Sequence, residues 1–76
     1  MVPRPKTVKP LDNYCLQVTF DNGETKIYDM SSLIEKPFYR DLKNKNIFKA
    51  VKVSDITLEW PSGEDICPNE LYYKSK

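Results

Sequence analysis

The chain has 76 residues, of which 39% are hydrophobic and 30% charged, and its net charge is +1. This balance excludes a disordered tail and a globally basic nucleic-acid-binding protein. The length suits one domain over residues 1–76, close to the lower limit for a self-supporting hydrophobic core.

The sequence contains no histidine, which is the usual general base near neutral pH and the usual partner of a serine or cysteine nucleophile. An enzyme made from this chain would have to use carboxylates, lysine or tyrosine. The pattern shows no nucleophile–base pair, glycine-rich phosphate loop or metal cluster. We therefore expect a non-catalytic protein without a metal or a cofactor.

The first ten residues, MVPRPKTVKP, contain no apolar run. They predict neither a signal peptide nor a membrane span, and therefore a cytoplasmic protein in which residues 1–5 form a flexible arm. In that compartment Cys15 and Cys67 should be reduced thiols. Cys67 has no basic neighbour within two residues, and we expect it to be a small buried hydrophobic residue.

Two strands are predicted early in the chain. Pro10 excludes the segment TVKPLDN, residues 7–13, from a central position in a sheet, so that this segment is expected to be an edge strand. In the next segment, YCLQVTF, the side chains of Leu16, Val18 and Phe20 alternate with polar neighbours. That period of two is typical of a half-buried strand.

A hairpin is predicted at Asn22-Gly23, because both residues tolerate positive φ. A two-residue turn would place Val18 opposite Ile27, whereas a three-residue loop would place it opposite Lys26. Pairing apolar with apolar side chains favours the two-residue turn.

Short helices are predicted in SSLIEKPFYRDLKN, residues 31–44. Ser31 or Ser32 caps a first turn, and Pro37 suits the first position of a second helix. Phe38 and Leu42 are four residues apart and would share one helical face. Because both pieces are short, they must dock on the sheet to be stable.

Two further strands are predicted as IFKAVKVS, residues 47–54, and DITLEW, residues 55–60, joined at Ser54-Asp55. A hairpin should follow at PSG, where Pro61 begins a type I turn and Gly63 takes the left-handed position. This loop predicts the pairs Trp60–Glu64, Glu59–Asp65 and Leu58–Ile66. After Pro68 ends the strand, NELYY should form a last helical turn that packs Leu71 and one tyrosine.

The predicted fold is therefore α+β: a small, mainly antiparallel sheet of about five strands in two hairpins, with one or two short helices packed on one face. The segments VTFDNGETKIYDMSSLI, IFKAVKV and LEWPSGEDICPNELY also resemble domain-of-unknown-function family 2442, a group of small bacterial proteins. The run W-P-x-G-x-D-x-x-P-x-x-L-Y at residues 60–72 is the most specific part of this resemblance. Eight residues are expected to be structural anchors: Phe20, Gly23, Trp60, Pro61, Gly63, Pro68, Leu71 and Tyr72.

The resemblance implies an antiparallel sheet with small helices and no particular activity. Some relatives carry a helix-turn-helix or look like partners of a neighbouring small protein, in the manner of toxin–antitoxin pairs. These relatives suggest an interaction or regulatory role rather than a particular catalytic activity.

Glu59 and Asp65 form the first candidate site. Two carboxylates on opposite strands raise each other's pKa, and acid–base enzymes use this arrangement. The alternative is a pair of solvated acids on the outer face of the sheet, and we favour that interpretation.

Basic residues are concentrated in the second candidate site. The segment 36–52 contains one acid, Asp41, and these basic residues: Lys36, Arg40, Lys43, Lys45, Lys49 and Lys52. The segment 55–70 contains acids and no base, which predicts an electrically two-sided molecule. If Phe38 and Phe48 were exposed beside these cations, they could stack nucleic-acid bases. Alternatively, both rings are core residues and the lysines only solubilise the protein, and we favour this second interpretation.

Three functional hypotheses follow, in order of preference. The first is a protein–protein interaction module that pairs a strand edge, at residues 7–13 or 50–54, with a second copy or with a neighbour-encoded partner. The second is a nucleic-acid-associated regulator that uses the segment 36–52. The third is an enzyme based on Glu59 and Asp65, with or without a tyrosine. None of the three involves a membrane or a metal.

Overall fold

Five strands in two antiparallel sheets make up the β part of the computed structural model of the chain, which describes residues 2–76. The larger sheet has the order β1-β2-β3 and the smaller sheet pairs β4 with β5. The strands are β1 (Pro5–Leu11), β2 (Cys15–Phe20), β3 (Thr25–Asp29), β4 (Lys52–Ser54) and β5 (Thr57–Glu59). The predicted α+β fold with five strands in two hairpins is confirmed, and the strands divide into sheets of three and two.

Five short helical segments connect or follow the strands. Three are 3₁₀ helices, at Asp12–Tyr14, Leu33–Glu35 and Pro37–Lys43. The α-helices are α1 (Lys45–Phe48) and α2 (Pro68–Lys74). In α2, Leu71 is buried and Tyr72 is partly buried, as expected, and Pro68 occupies the first turn, where its missing N–H costs no hydrogen bond.

The register of the first hairpin differs from the prediction. Val18 pairs with Lys26, and Leu16 rather than Val18 has the apolar partner, Tyr28. The loop contains three residues, because the Phe20 N–H donates to the Glu24 carbonyl. Within the loop, the Gly23 N–H donates to the Phe20 carbonyl and Gly23 has φ 91°. That is a type I turn followed by a left-handed residue. The two-residue turn predicted at Asn22-Gly23 is therefore wrong.

The physical reason is that the Lys26 side chain has a partner on α2. Its ammonium group lies 3.9 Å from the centroid of the Tyr72 ring. A cation over an aromatic face is stabilised there, and the aliphatic stem of the lysine covers apolar surface beside Val18. The turn is fixed by its own side chains as well, since the Glu24 N–H donates to Asn22 Oδ1 at 3.0 Å.

The second predicted loop has the expected geometry. The Trp60 N–H donates to the Glu64 carbonyl at 2.9 Å, the Gly63 N–H donates to the Trp60 carbonyl at 2.9 Å, and Gly63 has φ 104°. Glu59 pairs with Asp65 across the loop. The loops FDNGE and WPSGE are thus built in the same way, and each begins with a buried aromatic residue.

The segment between the two sheets is more helical than predicted. Ile47 and Phe48 belong to α1 rather than to a strand, because the Asn44 side chain accepts from the Asn46 N–H and caps a helical turn. The two residues that join β4 to β5 are Asp55 and Ile56 instead of Ser54 and Asp55. As a result, Ile56 lies in the turn and is 43% exposed.

The predicted helical face of Phe38 and Leu42 is also wrong. Leu42 is fully buried, but Phe38 is 59% exposed. Residues 37–43 form a 3₁₀ helix, in which side chains three residues apart share a face. Tyr39 therefore takes the inner position with Leu42, and Phe38 points to solvent.

One cluster of buried side chains connects both sheets and α2. Its largest fully buried members are Trp60, Phe20, Leu16, Met30, Leu42, Leu58, Ile66, Leu71 and Val18. The Trp60 indole N–H donates to the Phe48 carbonyl at 2.9 Å, so that the single tryptophan is buried without an unpaired donor.

The sheet edges are protected in different ways. β1 carries Pro5 and Pro10, which lack N–H groups, and its register shifts between Pro5 and Thr7. On the opposite edge, the Ile27 N–H donates to the Lys76 carbonyl at 2.8 Å and the Lys76 N–H donates back at 2.9 Å. The last described residue therefore covers the middle of β3.

The N-terminal segment contacts the body of the protein. The Asp21 N–H donates to the Arg4 carbonyl at 2.8 Å, and the Arg4 guanidinium lies 4.0 Å from the Asp55 carboxylate. The flexibility expected for residues 1–5 stays a prediction, and Met1 lies outside the described residues.

Candidate functional site

The basic residues of segment 36–52 all lie at the surface. The six side chains are exposed: Lys36, Arg40, Lys43, Lys45, Lys49 and Lys52. Two of them pair with acids, since Lys43 Nζ lies 3.1 Å from Glu35 and Lys52 Nζ lies 3.8 Å from Glu59. Exposed pairs of this kind contribute little to stability, so the segment presents a largely solvated positive surface.

An aromatic ring projects from this surface. The exposed Phe38 ring makes an edge contact with the Tyr39 ring, with 4.8 Å between centroids. The Tyr39 hydroxyl donates to the Asp65 carbonyl at 2.9 Å, which anchors the contact to the end of the second hairpin. Burial, together with the nearby Glu70 and Asp65 carboxylates, raises the pKa of the Tyr39 phenol, which therefore remains a donor at neutral pH. Phe38 is thus an exposed aromatic residue next to a tyrosine that is fixed to the second hairpin, and Lys36 and Arg40, each two residues away in the sequence, are exposed as well.

Glu59 and Asp65 lie opposite one another, as the predicted register requires. Both are accessible to solvent, Glu59 partly and Asp65 more fully. The Lys52 ammonium faces the Glu59 carboxylate across the β4–β5 pair. An acid pair at an open sheet face beside a lysine suits solvation better than proton transfer in an enclosed site.

The basic and acidic segments of the sequence meet in space. Lys52 approaches Glu59, and Tyr39 from the basic segment bonds to the Asp65 backbone. Glu64 is only 5% exposed, and its carboxylate accepts a hydrogen bond from the Ser62 hydroxyl within the turn. The charges are therefore mixed at this junction, which reduces the charge separation expected from the sequence order alone.

The predicted anchor residues have packing and turn roles. The Phe20 and Tyr72 rings pack edge to face with 5.1 Å between centroids, and the Tyr72 hydroxyl donates to the Glu24 carboxylate. This contact joins α2 to the first hairpin loop. It also leaves Tyr73, the next residue, 70% exposed.

Cys67 is exposed, which contradicts the expected burial. Its neighbour Ile66 fills the inner position at 1% exposure, and Cys67 precedes Pro68 at the start of α2, where the chain turns outward. Cys67 borders an open hollow of about 310 Å³ with Arg4 and Ile56. Cys15 is half-buried, and burial followed by the Asp29 carboxylate raises the pKa of its thiol. Both cysteines are free.

A second hollow, of about 220 Å³, was not predicted from the sequence. It lies where the end of β3 and the following turn meet α2, and it is lined by Tyr28, Asp29, Ser32, Leu33, Glu70 and Lys74. Glu70 and Lys74 are four residues apart, which places both on one face of α2, but this spacing alone does not locate the hollow.

Two further properties concern the described part of the chain as a whole. Within residues 2–76, no helix combines the length and apolar character required to cross a membrane. The same residues contain no cluster of three or more side chains suited to hold a metal ion.

The comparison with protein families covers almost the whole molecule. Residues 5–76 match the model of the family described as "Protein of unknown function (DUF2442)". The chain belongs to this family. The resemblance noted from the run at residues 60–72 is thereby confirmed. No curated protein and no solved structure matches the chain. Family membership assigns no function, so that a function has to be argued from the surface.

Proposed function

We propose that this member of the family is a non-catalytic module that binds a protein partner through the surface around Phe38. The observation that carries the proposal is the 59% exposure of that ring on a supported 3₁₀ helix. Aromatic and arginine side chains are enriched in protein interfaces, where large rings contribute much of the binding free energy. The exposed Lys36 and Arg40, each two residues from Phe38 in the sequence, would supply positive charge near such a contact.

The partner we propose is a small acidic protein encoded beside this one, as the resemblance implies. An acidic surface would complement the exposed cations of segment 36–52, and charge complementarity would increase the association rate. Pairing through strand edges, the mode expected from the sequence, is less favoured. The prolines of β1 lack N–H groups, and the backbone of Ile27 in β3 is already bonded to Lys76. Both edges of the larger sheet therefore have few free backbone groups for a partner.

The absence of catalysis is part of the proposal. Its support is the open position of Glu59 and Asp65, the Lys52 ion pair, and the lack of histidine in the sequence. We also propose a cytoplasmic location, which the two free thiols of Cys15 and Cys67 support.

The test is affinity capture from native lysate with an N-terminally tagged chain. We expect one partner to be retained by the wild type, lost with Phe38→Ala, and retained by Tyr73→Ala. Tyr73 is the matched control because it is an exposed aromatic residue outside the basic segment. Equal retention by both variants, or a strict monomer in light scattering with nothing captured, would contradict the proposal. A dimer that Phe38→Ala dissociates would replace the acidic partner with a second copy.

A second candidate function is nucleic-acid association through the same segment. It is favoured by the combination of an exposed ring with adjacent cations, because bases stack on aromatic side chains while lysine and arginine neutralise phosphates. Binding to mixed single- and double-stranded oligonucleotides should then weaken with rising salt and with Phe38→Ala. No binding at low salt would remove this candidate.

A further inference from the structure

The hollow between the end of β3 and α2 contains a polar group with an unused bonding capacity. Tyr28 is 2% exposed and lines this hollow. The hydroxyls of three other tyrosines, Tyr14, Tyr39 and Tyr72, each donate to an oxygen atom. The Tyr28 hydroxyl, by contrast, has no hydrogen-bond partner among residues 2–76. This hydroxyl is therefore free to donate to a molecule that enters the hollow.

The Tyr28 side chain is accessible from this hollow. Among the described residues, no fully buried side-chain oxygen or nitrogen atom lacks a partner. The Tyr28 oxygen therefore keeps access to the space that its side chain lines. Burial, followed by the nearby Glu70 carboxylate, raises the pKa of this phenol, which keeps its proton available for donation.

The charged residues beside Tyr28 are also available to a bound molecule. Glu70 and Lys74 lie four residues apart on α2, the spacing at which a glutamate and a lysine usually pair. Here no ion pair within 4.0 Å joins them, although exposed pairs elsewhere in residues 2–76 do form. Opposite charges that face one hollow without contacting each other leave room for a molecule between them. The Asp29 carboxylate also lines the hollow and adds a second negative charge on that side, with one of its oxygens accepting from the Ser31 N–H at 2.8 Å.

We propose that this hollow binds a small zwitterion of the free amino acid class. Its ammonium group would contact the Glu70 carboxylate, its carboxylate would contact the Lys74 ammonium, and the Tyr28 hydroxyl would donate to the same carboxylate. Leu33 supplies an apolar wall for the side chain of the ligand. The volume of about 220 Å³ lies below that of sites for drug-sized ligands, roughly 300–1,000 Å³, and suits a smaller molecule. A ligand with both charges complements the Glu70 and Lys74 side chains.

The test is an amide chemical-shift titration of the full chain with each standard free amino acid. At least one should give saturable shifts confined to the neighbourhood of Tyr28, Ser32, Glu70 and Lys74. The amide of that amino acid lacks the carboxylate and its N-acetyl derivative lacks the ammonium group. Each derivative should bind at least about tenfold more weakly, because each loses one charge-assisted contact.

Variants connect the binding to the proposed residues. Tyr28→Phe removes only the hydroxyl, and Lys74→Gln changes an exposed residue that the fold tolerates. Both should weaken binding by about tenfold, whereas Tyr73→Phe, a phenol on the same helix, should leave it unchanged. If no amino acid gives saturable shifts, or if Tyr28→Phe and Lys74→Gln bind as well as the wild type, the hollow holds only water and the proposal is wrong.

Discussion

Gly63→Ala should destabilise the protein solely through the backbone. Gly63 has φ 104°, and a Cβ atom placed there would meet nothing within 4 Å. Steric overlap is therefore absent, and the cost comes from holding an L-residue in the left-handed region, about 1–2 kcal/mol. Alanine also restricts the unfolded chain more than glycine does, which offsets about 0.4–1 kcal/mol of this cost. We expect a net loss of roughly 0.5–1.5 kcal/mol in the free energy of unfolding.

Urea unfolding followed by tryptophan fluorescence measures this loss, since Trp60 adjoins the loop and is 2% exposed. For a domain of this size the change corresponds to a fall in Tm of about 4–8 °C per kcal/mol. Gly23→Ala is the matched variant, because Gly23 has φ 91° and equally open space in the equivalent loop. Asparagine tolerates positive φ better than alanine, so Gly63→Asn should cost less. A loss above about 3 kcal/mol for Gly63→Ala, or a large difference between the two alanine variants, would refute a purely conformational origin.

Three further outcomes are expected. Trp60→Phe should lower the free energy of unfolding by about 1–3 kcal/mol in urea titration, because it leaves a buried carbonyl without its donor; an unchanged midpoint would contradict this role. Hydrogen bonds from Tyr72 and then Asn22 lower the pKa of Glu24 from its ordinary value of 4.5. The stability that this carboxylate contributes is therefore complete above pH 4.5 and is lost as pH falls through the lower folded pKa. In urea titrations at neutral and acid pH, Tyr72→Phe should lose less unfolding free energy on acidification than the wild type, and an equal loss would contradict this linkage. Leu42→Ala should cost about 2–5 kcal/mol and Phe38→Ala within about 0.5 kcal/mol by thermal unfolding, and similar costs for the two would contradict the 3₁₀ packing.

The second hairpin could be predicted from sequence because its local signals agree. Pro61 favours the start of a type I turn, Gly63 provides positive φ, and the same register buries Leu58 and Ile66. Local propensity and the pattern of buried side chains then point to one answer.

The first hairpin could not be predicted in the same way, because the deciding contact is distant in the sequence. Lys26 is acceptable opposite Val18 only when the Tyr72 ring lies under its ammonium group. A rule that pairs apolar residues across strands does not include that ring. The exposure of Phe38 was missed for a related reason, since the period of the helix, three rather than four, depends on how Tyr39 and Leu42 pack.

The candidate surfaces were predicted in part. The basic segment and the opposition of Glu59 to Asp65 follow from composition and register, and the structure places these residues at the surface. The hollow beside Tyr28 depends on how α2 crosses the end of β3, and no local pattern encodes that crossing. Cys67 was mispredicted because its hydrophobic character says nothing about the outward turn of the chain before Pro68.

The reciprocal bonds between Ile27 and Lys76 affect how fusion proteins should be designed. Any polypeptide appended after Lys76 starts antiparallel to β3 and heads towards the loop at residues 21–23. A tag with alternating β-prone residues would then pair with β3 as a fourth strand and give the sheet a new exposed edge. Tags placed before residue 1, or separated by a proline-containing spacer, avoid that artefact.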